Sequence, residues 1–476
     1  MSHKFHSSIL RAYDIRGIYG KTLYDSDAYH VGKSFATVLI EMQKKKVSVG
    51  YDGRVSSPAL KSELIRGLTE SGIDVTEIGV GPTPMLYFSV HHLQQDAGIM
   101  VTGSHNPKDH NGFKIFLKEK PFYGQDIQAL ANIANDGIFF QGEGKLHKQD
   151  ISDDYIAKIT SDCTLAHSNS ALLDEIDNIT ERKHIKIAWD AGNGATAEIL
   201  KKLTNNISAE HILLFDTIDA TFPNHHPDPT VPENLIDLQK AVVEHGCDLG
   251  IAFDGDGDRI GVVDNNGKII WGDNLMVFYA REILQQHPNS TIIADVKASN
   301  ILFEEIQKAG GKPLMWKTGH SLIKAKMKET KAVLAGEMSG HIFFADKYYG
   351  YDDALYAAIR LINIVVDSPY SLAKMHESLP KSYSTPEIRI DCADDKKFQI
   401  ITDLKLALNQ GKINFNDVDG IRVDSAKGWW LIRASNTQAA LVARCDGASP
   451  QDLLELKSEL RKQLQSCNIA IPAELN

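Results

Sequence analysis

Short apolar runs recur along the chain, and they come in pairs. The first member of each pair ends in aspartate and a turn: Val47-Ser-Val-Gly-Tyr-Asp52-Gly, Ile185-Lys-Ile-Ala-Trp-Asp190-Ala-Gly and Thr291-Ile-Ile-Ala-Asp295-Val. The second ends in a polar loop containing glycine: Gly98-Ile-Met-Val-Thr-Gly-Ser104-His, Gly250-Ile-Ala-Phe-Asp254-Gly-Asp-Gly-Asp and Ala332-Val-Leu-Ala-Gly-Glu337-Met-Ser-Gly. Runs this short and this apolar predict strands covered on both faces. The stretches between them carry helical spacing, as with Leu60, Leu64, Ile65 and Leu68 between Pro58 and Ser71. Strands alternating with helices predict an α/β protein of three related units with mixed, mostly parallel sheets. Each unit then places a polar loop at the carboxyl end of a strand, where open α/β sheets bind ligands.

The pattern changes towards the C-terminus. Gly420–Asp424, Trp429–Ala434 and Ala439–Arg444 read as consecutive strands joined by short polar turns. A helix follows from Ser449, with Pro450 in its first turn and Leu453, Leu454, Leu456 and Leu460 as its apolar face. This is an α+β unit with an antiparallel sheet. The expected units are 1–150, 151–268, 269–376 and 377–476, with Gly142-Glu-Gly-Lys and Ser368-Pro as linkers.

Composition narrows the function. With 476 residues, 43% hydrophobic and 24% charged, the chain can build several packed cores, which excludes wholesale disorder. A net charge of −11 argues against a nucleic-acid binder and leaves room for a local basic pocket around a small anion. The five cysteines are scattered and contain no CxxC pair, so neither a disulfide framework nor a zinc site is expected. The start lacks an apolar signal core, and the longest apolar stretch, near Leu361–Val366, is too short to span a bilayer. The expectation is a soluble cytoplasmic protein.

Four loops carry candidate chemistry. In Asp254-Gly-Asp256-Gly-Asp258-Arg259 three carboxylates alternate with glycines, which permit a tight curl. Converging carboxylates repel one another, and a hard divalent cation such as Mg²⁺ is the obvious remedy. An EF-hand is excluded, because its glycine and glutamate positions hold Arg259 and Asn265. In Thr102-Gly-Ser104-His105-Asn106-Pro107 an exposed serine suits a nucleophile or phosphoryl carrier, and equally a plain turn. Lys114 is either a cation over that site or a solvated lysine. Glu337 and Ser339, on alternate positions, suit adjacent sugar hydroxyls, or else a satisfied buried carboxylate. His320 offers either a proton shuttle or a structural imidazole. Arg433-Ala-Ser435-Asn436-Thr437 supplies a guanidinium, hydroxyls and backbone amides for a phosphate dianion, or is only a polar hairpin turn.

Together these loops describe a cation site, a serine, a sugar grip and a phosphate grip drawn from four units. In this the chain resembles the α-D-phosphohexomutase family, most closely its phosphomannomutase/phosphoglucomutase branch. The resemblance covers essentially the whole chain and rests on six motifs in order. They are Ala12-Tyr13-Asp-Ile-Arg16-Gly, Thr-Gly-Ser104-His-Asn-Pro, Asp254-Gly-Asp-Gly-Asp258-Arg, Thr318-Gly-His320-Ser, Gly-Glu337-Met-Ser-Gly-His341 and Arg433-Ala-Ser-Asn-Thr437. It implies a monomer with four domains around a central cleft. It also implies that phosphate moves between O1 and O6 of a mannose or glucose phosphate, with a hexose 1,6-bisphosphate as intermediate and activator. Ser104 would carry the phosphoryl group, and Asp254, Asp256 and Asp258 would bind Mg²⁺ with it. Arg16, Lys114, Arg259 and His320 would surround the transferring group, with Lys114 and His320 as acid/base groups. Tyr13, Lys297, Glu337, Ser339 and His341 would contact substrate, and Arg433, Ser435, Asn436 and Thr437 would hold the phosphate that is not reacting. The alternatives are a phosphoglucosamine mutase or a catalytically silent sugar-phosphate-binding regulator. The glucosamine branch usually has Gln where Met338 stands and Ser-Gly-Thr where Ser435-Asn-Thr stands, so both positions favour glucose or mannose phosphate.

Overall fold

Each of the three apolar pairs becomes the middle of a separate sheet. A computed structural model describes residues 2–166, 184–436, 439–467 and 469–475. In it the first strands, Lys46–Tyr51, Lys186–Asp190 and Thr291–Asp295, occupy equivalent positions. On one side each pairs in parallel with the next strand along the chain, Asp74–Val80, Glu210–Leu214 or Lys312–Trp316. On the other side it pairs in parallel with Ala97–Val101, Leu249–Phe253 or Leu334–Gly336. That last strand then turns back into an antiparallel partner, His110–Leu117, Ile260–Asp264 or Ile342–Phe344. The repeat is therefore a four-strand motif, two strands richer than the paired runs alone indicate, one parallel and one antiparallel. The strands that lead into the turns are buried along their whole length, as the helices on both faces require.

Edges extend two of the sheets. Ile15–Ile18 pairs with His110–Leu117, and Ile269–Ile270 pairs with Ile260–Asp264. Leu146–Lys148 adds a parallel strand beside Asp74–Val80. The stretch leading into it is not a free linker as expected. Gly142 N donates to Glu70 O at 3.1 Å and Gly144 N to Thr69 O at 2.8 Å, which ties it to the first unit.

The C-terminal unit is an antiparallel sheet. Tyr383–Ser384 and Ile388–Asp391 both pair with Ala440–Gly447, followed by Gly428–Ala434 and Ile421–Ser425. Helices Lys397–Gln410 and Pro450–Ser466 cover it. The second helix starts where expected, with the Ser449 side chain accepting from Asp452 N. Its buried stripe is Leu456, Leu460 and Leu464, with Leu453 partly covered. Leu454, expected in that stripe, is 54% exposed because it lies about 100° round the helix from Leu453.

One apolar core runs through the first three units, from Tyr87 and Phe88 through Trp189 and Phe253 to Phe344 and Tyr356. The C-terminal unit has its own core and meets the third unit across a small cluster of Val296, Trp429 and Leu431. Among the described residues, no helix is long and apolar enough to cross a membrane.

Candidate active site

The three equivalent turns, each between the last parallel strand and its antiparallel partner, carry Ser104, Asp254–Arg259 and Glu337–His341. Together with Ser435, Asn436 and Ala439 they open on one cleft of about 1040 Å³, also lined by Tyr13, Arg16, Lys114, Lys297, His320 and Arg433. The Ser104 hydroxyl donates to Asp254 Oδ2 at 3.1 Å and lies 3.2 Å from His105 Nδ1. The other oxygen of Asp254 accepts from the backbone N–H groups of Asp258 and Arg259 at 3.1 and 3.2 Å, which closes the acidic curl. Glycine is required where this curl meets the serine loop. A Cβ on Gly255 would sit 2.4 Å from the Ser104 carbonyl oxygen.

Asp254, Asp256 and Asp258 are fully buried. Burial, together with the charges of Asp258 and Asp256, pushes the Asp254 carboxyl well above the usual range. Burial would raise Asp256 too, but the Lys114 ammonium 2.7 Å away outweighs it and holds that carboxyl low. Lys114 is not a solvated lysine. It is 4% exposed and donates to both Asp256 and Asp258. Burial would lower its pKa, but these two carboxylates prevail and keep it charged. Asp256 Oδ1 and Asp258 Oδ1 are buried without a hydrogen-bond partner, and the three carboxylates bring ligand atoms within 4.8 Å of one another. Orphaned anionic oxygens are costly. An all-oxygen set of this kind fits a hard divalent cation, so these acidic residues can hold a metal.

Around this centre, Arg16 pairs with Asp14 at 2.5 Å, and Arg259 Nε donates to His341 Nε2 at 3.0 Å. His341 Nδ1 lies 3.1 Å from Asp352 Oδ2 and 3.6 Å from Asp258 Oδ1. His320 begins the helix His320–Thr330 and stacks on His341, with ring centroids 5.7 Å apart. Burial pushes its pKa well below the usual histidine value, and Lys324 adds to the effect.

The other half of the cleft is built from the third and fourth units. Glu337 accepts from Gly319 N at 2.5 Å and from the Ser339 hydroxyl at 3.0 Å. Lys297 bridges to Glu387 at 2.9 Å, with Asp295 at 3.8 Å. Arg433 Nε donates to Asp419 at 2.9 Å, and the same carboxylate accepts from Thr318 N at 3.0 Å. Tyr13 donates to Thr318 O at 2.9 Å and accepts from the Asn436 amide at 2.5 Å, so the first unit touches both others across the cleft. Ser435 N donates to Ala440 O, closing the turn. Thr437 lies outside the described residues. Every other site residue expected from the sequence lies in the cleft or touches one that does. Arg16, Lys114, Arg259, Lys297 and Arg433 give it a positive lining despite the acidic chain.

Four residues escaped the sequence reading. Arg54 underlies the serine loop, Asp352 sits behind His341, Asp419 behind Arg433 and Glu387 behind Lys297. Asp352 precedes Asp353, whose side chain caps the helix Ala354–Asp367 by accepting from Tyr356 N. An Asp-Asp pair before a helix reads as a cap and hides its neighbour. Arg54 carried a faint signal, since Asp52-Gly-Arg54 ends the first strand of the first pair.

Comparison with known proteins finds matches along nearly the whole chain. Four family models match in order: phosphoglucomutase/phosphomannomutase alpha/beta/alpha domains I, II and III over residues 7–139, 153–267 and 271–383, and the C-terminal domain over 387–463. A phosphomannomutase/phosphoglucomutase of Pseudomonas putida is 44% identical over 457 residues, covering 96% of this chain and 95% of the relative. A phosphoglucomutase of Neisseria meningitidis serogroup A is 39% identical over 464 residues, covering 96% and 97%. The crystal structure of a phosphoglucomutase/phosphomannomutase family protein from Burkholderia thailandensis superposes with a TM-score of 0.89 at 38% identity, covering 98% of this chain and 99% of that one.

Proposed function

We propose how phosphate moves in this cleft from the premise that the chain belongs to the phosphoglucomutase/phosphomannomutase family, the α-D-phosphohexomutases, and is a hexose-phosphate mutase. Ser104 carries the phosphoryl group. In the first transfer the bond between phosphorus and Ser104 Oγ breaks as a bond to the free hydroxyl of a hexose 1- or 6-phosphate forms. The resulting 1,6-bisphosphate turns end for end, and its other phosphate returns to Ser104. Glucose or mannose 1,6-bisphosphate is also the activator that charges the serine.

The observation that carries this reading is the 3.1 Å contact between Ser104 Oγ and Asp254 Oδ2, which brings carrier and acidic triplet to one point. Asp254, Asp256, Asp258 and the Ser104 oxygen would hold Mg²⁺. Bound there, the ion would neutralise the equatorial oxygens that phosphoryl transfer leaves charged. Arg16, Lys114 and Arg259 supply further positive charge from the chain itself. Each transfer moves one proton, from the attacking hydroxyl to a base and from an acid to the departing oxygen. His320, kept neutral by burial and Lys324, suits the first role, and Lys114, kept charged by its carboxylates, suits the second. Glu337, Ser339 and His341, with Tyr13 and Lys297, hold the sugar. Arg433, Ser435, Asn436 and Thr437 hold the distal phosphate, whichever end of the hexose presents it. The hexose is glucose or mannose, which differ only at C2.

The four units divide near residues 150, 268 and 376, and the protein works as a cytoplasmic monomer. The acidic surface, scattered cysteines and self-contained cleft support that view. The carrier role is tested by intact mass after incubation with glucose 1,6-bisphosphate and Mg²⁺. One phosphoryl group is expected on the parent and none on Ser104→Ala; equal labelling of both would move the carrier elsewhere.

A further inference from the structure

We infer that Arg54 is a positioning residue for phosphoryl transfer, setting the backbone of the serine loop without touching the reacting oxygen. The inference rests on Ser104 being the phosphate carrier. Arg54 is 2% exposed and follows the strand Lys46–Tyr51 of the first unit. Its guanidinium donates to the carbonyl oxygens of Ser104 at 2.7 Å, Asn106 at 2.6 Å, Pro107 at 2.5 Å and His110 at 3.0 Å. Its Nε is held by Asp52 at 3.2 Å. Loop carbonyls buried outside a sheet ladder need partners, and a single planar cation with several donors satisfies these together.

The same strand end grips the loop's donors. Asp52 accepts from the Thr102 hydroxyl at 2.8 Å and from Gly103 N at 2.9 Å, and the Thr102 oxygen accepts from Ser104 N at 2.8 Å. The guanidinium lies close against the loop, since a Cβ on Gly103 would stand 2.3 Å from Arg54 Cζ. The ring of Phe222, from the second unit, lies 5.4 Å from that carbon. Held this way, Ser104 keeps a left-handed backbone, φ +49°, that a residue with a side chain rarely adopts unless its surroundings enforce it. At Ser104 the contact of Arg54 is to the main-chain carbonyl and not to the hydroxyl, so its contribution is the place of Oγ relative to Asp254.

The sugar and phosphate grips at Glu337 and Arg433 have no hydrogen bond or ion pair with Arg54, which separates its effect from substrate binding. Displacing a reacting atom by about 1 Å costs on the order of 100-fold in rate. Arg54→Lys keeps the charge and loses the fork. Arg54→Met removes both. Gly103→Ala leaves Arg54 in place and crowds its guanidinium, so the contact is tested even where loss of the arginine prevents folding. Each variant is charged with glucose 1,6-bisphosphate, its phosphoserine content is read by intact mass and its folded fraction by thermal melting. Turnover of glucose 1-phosphate is then expressed per folded, phosphorylated site. We expect kcat to fall by about 10- to 100-fold, with KM within a factor of about two and no rescue by lysine. Folded, phosphorylated variants turning over within about twofold of the parent would overturn the inference alone. A parent that takes no phosphate on Ser104 would overturn the carrier reading and this inference with it.

Discussion

The two halves of the cleft are held in opposite ways. On the chemistry side, the loops bearing Ser104, the acidic triplet and Glu337 belong to three units joined by one apolar core, to which the first unit adds a second core of its own. Their backbones meet closely enough that glycine is needed at 255. On the gripping side, Arg433, Ser435 and Asn436 belong to a unit with a separate core. Around the small apolar cluster of Val296, Trp429 and Leu431 it meets the rest through polar contacts: Tyr13 with Asn436, Lys297 with Glu387 and Thr318 with Asp419. Arg422 adds bonds to the carbonyls of Val296 and Ala298, each 2.7 Å long. A close-packed core does not yield in small steps, whereas a few hydrogen bonds and ion pairs exchange with water and ligand. On the proposed mechanism, the part that would place a phosphorus atom rests on a shared core, and the part that would release and recapture a turning bisphosphate meets it through groups that can change partners.

This contrast predicts different signatures from the two sides. Asp256→Asn strikes the chemistry side. It removes one charge from the triplet and one partner from Lys114, so kcat should fall by about 100- to 1,000-fold, as when other electrostatic stabilisers are removed. The Mg²⁺ titration should move to higher concentration in step, and an unchanged titration would reject the triplet as the metal site. Arg433→Ala strikes the gripping side. Losing one charge-assisted hydrogen bond costs roughly 2 kcal/mol, so KM for glucose 1-phosphate should rise by about 30-fold while kcat changes little. A kcat loss without a KM change would place the distal phosphate elsewhere.

The smallest effect is expected where the two sides meet. Burial would raise the Glu387 carboxyl, but Lys297 holds it at about 2, below the ordinary value of 4.5. A lowered acid contributes stability above its unfolded value and loses it as the pH falls through its folded value. The Glu387–Lys297 bridge should therefore hold above pH 4.5 and weaken progressively towards about pH 2. Glu387→Gln should loosen the C-terminal unit already at neutral pH. Small-angle scattering would report a larger radius of gyration for the ligand-free variant, and identical curves for variant and parent would deny the bridge a role in holding the two sides together.

How far the sequence alone reached follows the same division. The three turns were legible because each follows a fully apolar strand and concentrates glycine with hydroxyl or carboxylate groups, a combination that local folding alone seldom explains. The antiparallel fourth strand of each repeat was not read from the paired runs, since register and direction come from partners distant in the chain. Residues that act by holding others were missed for a related reason. Arg54, Asp352 and Asp419 look locally like a turn arginine, a helix cap and a turn aspartate, and only tertiary contact puts them behind Ser104, His341 and Arg433. Leu454 was misplaced because five leucines crowd one helix and the stripe has room for those at three- and four-residue steps.

The central claim is that the oxygen of Ser104 and the acidic triplet share one cation. Mn²⁺ favours the same oxygen ligands as Mg²⁺ and carries unpaired electrons. Electron–nuclear resonance on the Mn²⁺-loaded, phosphorylated protein should show a ³¹P coupling of directly ligated strength. Ser104→Ala treated identically should show none, and Asp256→Asn should bind the ion weakly. Mn²⁺ held tightly by the parent with phosphate on Ser104 and no ³¹P coupling would contradict the account.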